Sequence, residues 1–375
     1  MKTTRCLLRN LVQRPASALS MTSGSHRSAY STMTSKGDAA SLNSPIPILR
    51  TLAELREWRR ALFARGATVG FVPTMGALHS GHLNLVRASL AETDETIVSV
   101  YVNPAQFAPH EDFGSYPRTL PTDIQALVSL TTSADDASTA PARSKLVSAI
   151  FAPTTDQLYP NGIERDKSKQ RGAFVEVAGL QDRMEGASRP TFFRGVATVV
   201  TKLFNAVQPD LAYFGQKDIQ QAILLRRMVS DLLFPHPPGP SAVRVLPTSR
   251  AEDGLALSSR NAYLTPASRK HATALHDALQ RGQDAWAGGS PPAKVLETAR
   301  SHVAHAARLS ARENVHIELL YISLNDPHTL ETIWDSQDRS QLSGAILSGA
   351  AMISEGKDGQ KTRLIDNLLL DFSLE

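Results

Sequence analysis

Apolar positions recur along this chain with two periods, one helical and one extended, and they alternate for the first two thirds of its length. After the capping box Thr51-Leu52-Ala53-Glu54, residues Leu52, Leu55, Leu62 and Phe63 keep helical spacing, which predicts a first helix ending near Gly66. The apolar run 68–72 reads as a strand, followed by a glycine-containing turn and a helix to about residue 90. Residues 96–102 are β-branched or apolar at nearly every position, as in a strand buried on both faces of a parallel sheet, and Asn103-Pro104 stops it. A short strand at 149–152, a helix over 194–207, a strand at 210–214 and a helix over 219–230 continue the alternation. The order predicts an α/β fold built on a parallel sheet, with ligands beyond the carboxyl ends of its strands. The polar clusters at 74–82, 103–106 and 215–218 fall at those ends.

From about residue 247 the pattern changes. Helical regions are expected over 266–286 and 291–308, and strands over 316–323, 344–353 and 362–366. This division predicts a first domain over 45–246 and a smaller α+β domain over 247–375. Two stretches interrupt the periodic pattern: 131–146, rich in Ser, Thr, Ala and Asp, which reads as a flexible insertion, and the proline-rich loop 235–241.

Composition sharpens this picture at the N-terminus. Residues 1–37 carry six basic residues and no acid, so the formal net charge of +4 leaves about −2 for residues 38–375. A near-neutral folded region argues against nucleic acid as a partner, and no apolar run is long enough to span a membrane. Residues 1–44, rich in Arg, Ser and Thr, have the composition of a mitochondrial transit peptide; a cytoplasmic chain with an unstructured tail is the alternative. The one cysteine, Cys6, lies in that segment, which excludes disulfides, cysteine zinc ligands and a thiol nucleophile from the rest.

Four constellations carry chemistry. Pro73-Thr74-Met75-Gly76-Ala77-Leu78-His79-Ser80-Gly81-His82 sits between a strand and a helix, where backbone N–H groups and the helix dipole suit a phosphate, and two imidazoles three residues apart add donors. The same His-x-x-His pair has too few companions to hold zinc. Asn103-Pro104-Ala105-Gln106-Phe107 offers amides suited to a hydroxyl or carboxylate. In Phe214-Gly215-Gln216-Lys217-Asp218, with Gln220-Gln221 one turn on, Lys217 can neutralise a phosphate, while Asp218 can hold a ribose, a magnesium ion or the helix N-terminus. Gly254-Leu255-Ala256-Leu257-Ser258-Ser259-Arg260-Asn261 adds two hydroxyls and an arginine suited to a triphosphate.

Together these pieces resemble the pantoate–β-alanine ligase (pantothenate synthetase) family, over roughly residues 48–370 apart from the two insertions. Tyr116-Pro117-Arg118-Thr119, Tyr159-Pro160-Asn161-Gly162, Glu185-Gly186-Ala187-Ser188-Arg189-Pro190 and Leu364-Ile365-Asp366-Asn367 also fit. The resemblance implies a Rossmann-like nucleotidyltransferase domain followed by a smaller C-terminal one. It implies condensation of pantoate with β-alanine, in which ATP first converts pantoate to an adenylate, releasing pyrophosphate, and β-alanine then displaces AMP. By resemblance, Met75, Gly76, Ala77, Leu78, His79, Ser80, Gly81 and His82 contact ATP, with His82 assigned as proton donor. Gly215, Gln216, Lys217 and Asp218, together with Ser249, Leu257, Ser258, Ser259 and Arg260, complete the ATP site. Gln106, Gln221 and Asn103 hold pantoate, and Gln106 also meets β-alanine. His79, His82, Lys217 and Arg260 stabilise the charge on the departing pyrophosphate, magnesium accompanies ATP with Asp218 as its candidate ligand, and the enzyme is a homodimer.

Two positions depart from the family's pattern: Gln216 stands where glutamate is usual, and Phe192 where a histidine is usual. Two other readings compete with ligation. One is an adenylyltransferase that never joins an amine, to be told apart by β-alanine dependence. The other is an inactive nucleotide-binding protein.

Overall fold

In the computed structural model, which describes residues 44–108, 111, 113–132, 146–335, 337 and 339–374, the predicted alternation is present. Strand β1 (Ile48–Leu49) leads into α1 (Leu52–Ala64) through the expected capping box: Glu54 N–H donates to Thr51 Oγ1 and Thr51 N–H to the Glu54 carboxylate. There follow β2 (Val69–Thr74), α2 (Ser80–Glu92), β3 (Glu95–Val100), α3 (Leu120–Thr132), β4 (Ala149–Phe151) and two short helices, α4 (Thr155–Leu158) and α5 (Glu185–Ser188). Then come α6 (Phe192–Val207), β5 (Leu211–Gly215), α7 (Ile219–Asp231) and β6 (Val243–Leu246). The six strands pair in parallel in the order β1-β4-β3-β2-β5-β6.

Both faces of this sheet are covered, which is why its strands read as unbroken apolar runs. Alternate side chains go to opposite sides. Phe71, Ile97 and Phe151 pack with Leu55 of α1, Phe204 of α6 and Leu224 of α7, whereas Val72, Val98 and Ile150 pack with Val86 of α2 and Leu127 of α3. Helix α2 comes so close that a Cβ on Gly70 would lie 2.1 Å from Ser89 Oγ and 2.7 Å from Thr93 Oγ1, so any larger residue in β2 at that point displaces both hydroxyls.

Beyond β6 lie α8 (Pro266–Lys270), α9 (Ala274–Ala287), α10 (Pro292–Ser310) and the antiparallel sheet of β7 (Val315–Asn325), β8 (Ala345–Glu355) and β9 (Thr362–Leu370). Leu279, Val295 and Ala299 of α9 and α10 pack on Ile322, Leu324 and Leu347 of this sheet.

The structure departs from the expectations in three places. The single helix expected over 266–286 is two, because the chain turns at 271–273 to bury Ala272 against Leu255, Val315, Ile353 and Leu364. Helix α3 and the two-residue β1 were not anticipated; β1 is too short to show a period, and its place at the sheet edge is set by pairing with β4. The first two positions of the expected insertion at 131–146 complete α3, and 133–145 lie outside the described residues, as does nearly all of the transit-like segment. Among the described residues, no helix is long and apolar enough to cross a membrane.

Candidate active site

The chain's strand order reverses between β2 and β5, and there the sheet opens. β2 stays paired with β3 to Thr74, but its pairing with β5 ends at Phe71. Odd-numbered residues of β2 direct their backbone toward β5, as the bond from Asp210 N–H to Val69 O shows, so Pro73, which has no N–H, falls where no partner strand remains. The crevice beyond the carboxyl ends of β2 and β5 is the place where open α/β sheets bind ligands. It holds a cavity of about 250 Å³.

One wall is the turn 75–79. Gly76 (φ +85°) and Ala77 (φ +51°) are both left-handed, and Thr74 Oγ1 accepts the Gly76 N–H while donating to Ser99 O. The turn is held from outside: the buried carboxylate of Asp123, in the first turn of α3, accepts N–H bonds from Ala77 (3.2 Å) and Leu78 (2.8 Å), and Thr119 Oγ1 also accepts the Ala77 N–H. Asp123 was missed from sequence; an acid in a first helical turn after Tyr116-Pro117-Arg118-Thr119 was the available signal. We expect Asp123→Ala, which leaves the Leu78 N–H unpaired and the Ala77 N–H with Thr119 Oγ1 alone, to cost about 1–3 kcal/mol and to raise the KM for nucleotide more than that for the other substrates. Thermal unfolding and steady-state kinetics check this; an unchanged nucleotide KM would overturn it.

His79 and His82 cap α2 reciprocally. His79 Nδ1 accepts the Gly81 N–H (3.2 Å), His82 Nδ1 accepts the His79 N–H (3.4 Å), and the rings lie 4.1 Å apart. One first-turn donor expected to face a phosphate is therefore satisfied by His79. With Nδ1 accepting, each neutral imidazole carries its proton on Nε2. Both rings line the cavity. Burial, then the Lys217 charge, pushes His79 down to about 4; burial, then His79 and Lys217, pushes His82 down to about 3. Both are neutral hydrogen-bond donors at neutral pH. Lys217 and Asp218, on the turn between β5 and α7, pair at 3.1 Å beside them.

A second wall, adjoining the Met75 end of the turn, carries amides. Asn103 is a buried hub: its Oδ1 accepts from Tyr159 OH (2.8 Å) and its Nδ2 donates to Gln106 Oε1 (3.1 Å) and Gly195 O (3.2 Å). Gln106 thereby keeps its NH₂ group on the Met75 side, 3.0 Å from the sulfur. Of the neighbouring glutamines, Gln220 is consumed by the backbone of Leu180, Arg183 and Glu185, and Gln221 lines the cavity.

The third wall comes from beyond β6. A hairpin pinned by Leu257 N–H to Ser249 O and by the Arg250–Ala256 bridge presents Ser258, Ser259 and Arg260 to the cavity, and Ser259 Oγ donates to Ala77 O (3.1 Å). The structure thus brings Met75, His79, His82, Asn103, Gln106 and Gln221 into one cavity with Lys217, Asp218 and the 258–260 segment. Gly76, Ala77, Leu78, Ser80, Gly81, Gly215, Gln216, Ser249 and Leu257 are not in its lining; they shape the backbone behind it.

Residues 47–369 match the family model for pantoate–β-alanine ligase. The chain belongs to the pantoate–β-alanine ligase family. It is 40% identical over 327 residues to the pantoate–β-alanine ligase of Saccharomyces cerevisiae, covering 86% of this chain and 99% of the yeast one. It is 41% identical over 324 residues to the pantothenate synthetase of Moorella thermoacetica, covering 86% and 98%. Among solved structures it resembles the pantothenate synthetase of Thermus thermophilus (TM-score 0.68, 38% identity, 86% and 99% covered). It also resembles the pantoate–β-alanine ligase of Francisella tularensis, crystallised with β-γ ATP and β-alanine (TM-score 0.60, 28% identity, 88% and 99% covered).

As a ligase of this family, the chain has its two departures at defined places. Phe192 lies under the Arg189 guanidinium, 3.7 Å from its ring centre, and Arg189 grips Glu111 with two bonds of 2.7 and 2.8 Å. Burial pushes the Glu111 carboxyl up, but the hydrogen bonds and charge of Arg189 outweigh it and hold it below its ordinary value. Arg189 and Phe192 line the cavity, and neither was named from sequence as a site residue. Gln216 Nε2 donates to Asn367 Oδ1, 151 residues away. Among the described residues, no group of three or more His, Cys, Asp or Glu could hold a metal ion. The single Asp218 carboxylate suits magnesium, which takes most of its ligands from phosphate and water.

Proposed function

We propose that this enzyme condenses pantoate with β-alanine at the expense of ATP, through a pantoyl adenylate. The observation that carries the reading is one cavity lined both by the donors His79, His82, Lys217 and Arg260 and by the amides of Gln106 and Gln221. A pantoate carboxylate oxygen, held by the amides, attacks the α-phosphorus of ATP; the bond from that phosphorus to the β-phosphate oxygen breaks, and pyrophosphate leaves. The β-alanine nitrogen then attacks the acyl carbon, loses a proton and expels AMP.

The chain's part is to place these groups and to meet growing charge. Lys217 and Arg260 are cations for the departing pyrophosphate, and, in place of the proton transfer that the resemblance assigns to His82, the two neutral imidazoles give it Nε2–H bonds without changing protonation. Asp218 would meet the magnesium that accompanies ATP, which neutralises phosphate charge when bound. Residues 75–82 and 215–218 serve ATP from the sheet side, while Ser249 and 257–260 serve it from the C-terminal part, which we read as a domain closing over the nucleotide. Asn103 orients Gln106, which also lies near β-alanine. The family supports a homodimer, and the composition of residues 1–44 supports import into mitochondria.

The full chain is expected to form AMP and pyrophosphate only when ATP, pantoate and β-alanine are all present. No AMP would overturn the reading, and turnover indifferent to β-alanine would favour a simple adenylyltransferase.

A further inference from the structure

The motif Leu364-Ile365-Asp366-Asn367 has no part in the chemistry above. It lies on β9, and Asn367 is 1% exposed. Its side-chain amide is fully engaged. Nδ2 donates to the carbonyls of Gln216 (2.9 Å) and Lys217 (2.9 Å), and Oδ1 accepts from Gln216 Nε2 (3.2 Å). Those carbonyls belong to the 3₁₀ turn Gln216–Asp218 that carries Lys217. Neither that turn nor the start of α7 has a side-chain cap of its own, so a side chain from another sheet, about 150 residues away, braces the turn. Next to it, Asp366 accepts two bonds from Arg250, at the base of the hairpin that presents residues 258–260.

We propose that Asn367 is a positioning residue for Lys217. This rests on the reading that Lys217 meets the triphosphate. A lysine has a long flexible stem, so its ammonium is only as well placed as its backbone. Rotating the turn would break both carbonyl bonds to Asn367 at once. Only an amide offers two donors and an acceptor in this footprint: aspartate has no donor, and leucine has neither. Serine keeps one donor.

The test is a double-mutant cycle in the full chain with Asn367→Ala, Lys217→Ala and both. It is read by affinity for a non-hydrolysable ATP analogue with magnesium and by kcat and the KM for pantoate. Asn367→Ala is expected to weaken analogue binding and lower kcat by about 10-fold each while the pantoate KM stays within about 2-fold, and to add less than about 2-fold once Lys217 is alanine. The same factor in both backgrounds, or no effect in either, overturns the proposal. Should Asn367→Ala lose cooperative thermal unfolding, Asn367→Ser carries the same cycle with an intermediate effect. A wild-type chain that binds the analogue but makes no pantothenate would refute the functional reading, and the binding cycle alone would then decide the role of Asn367. A chain that does not bind the analogue refutes both.

Discussion

Replacing His82 with alanine is expected to lower turnover by about 10²- to 10³-fold, the usual loss when one donor aimed at developing charge is removed from a dry site. The ring is half-buried and lines the cavity, with its Nδ1 occupied by the His79 N–H and its Nε2–H left as the donor. Its ionisation is pushed down to about 3, first by burial and then by His79 and Lys217. The histidines are then neutral across the physiological range, and kcat/KM should show no acid limb near 6.5, the ordinary histidine value. A limb there that disappears in His82→Ala, or an unchanged rate, would overturn the neutral-donor role.

The same shift has a sign for stability. Between pH 6.5 and about 3 the unfolded chain binds a proton at His82 that the folded chain does not, so the contribution is complete above 6.5 and is lost as pH falls through that window. His82→Ala should therefore show a shallower fall in stability over that window than the wild type.

Asp366→Ala is expected to destabilise the fold by about 3–5 kcal/mol, the cost of removing one partner from a buried ion pair. The Asp366 side chain is 4% exposed, accepts two bonds from Arg250 (2.6 and 2.9 Å), and lies 3.3 Å from His276 Nδ1. Burial alone would push its carboxyl up. The neighbouring His276 ring and the bonds and charge of Arg250 win and hold it below its ordinary value. Its contribution is full above pH 4 and is lost on acidification below the unfolded value of about 3.8. Truncation leaves a guanidinium that still donates to Gly254 O but has lost its carboxylate, so the hairpin bearing 258–260 loosens as the fold weakens. Chemical denaturation midpoints of the full chain check this; a loss under about 1 kcal/mol would show that Arg250 finds water easily and that the pair is not structural.

What was legible from sequence follows from its range. The unbroken apolar runs of β2 and β3, the capping box at Thr51, and the helical spacing in α6 and α7 are written in neighbouring residues, because each reports burial against elements of known geometry. The clusters at 74–82, 103–106 and 215–218 were placed at strand ends for the same reason, and the motifs in them named the family. The break between α8 and α9 was not legible, since the apolar spacing runs across it and only the packing of Ala272 decides where the chain turns.

By itself, then, the sequence determined the order of the main strands and helices, the residue types available to the chemistry, and the family. The tertiary structure decided how those residues are held. Asp123 reaches the turn at 77–78 from another helix, Arg189 meets Glu111 across 78 residues, and Asn367 braces Lys217 from the far sheet. Periodicity records the environment of a residue's face, and a single polar side chain satisfying a distant carbonyl leaves no period behind.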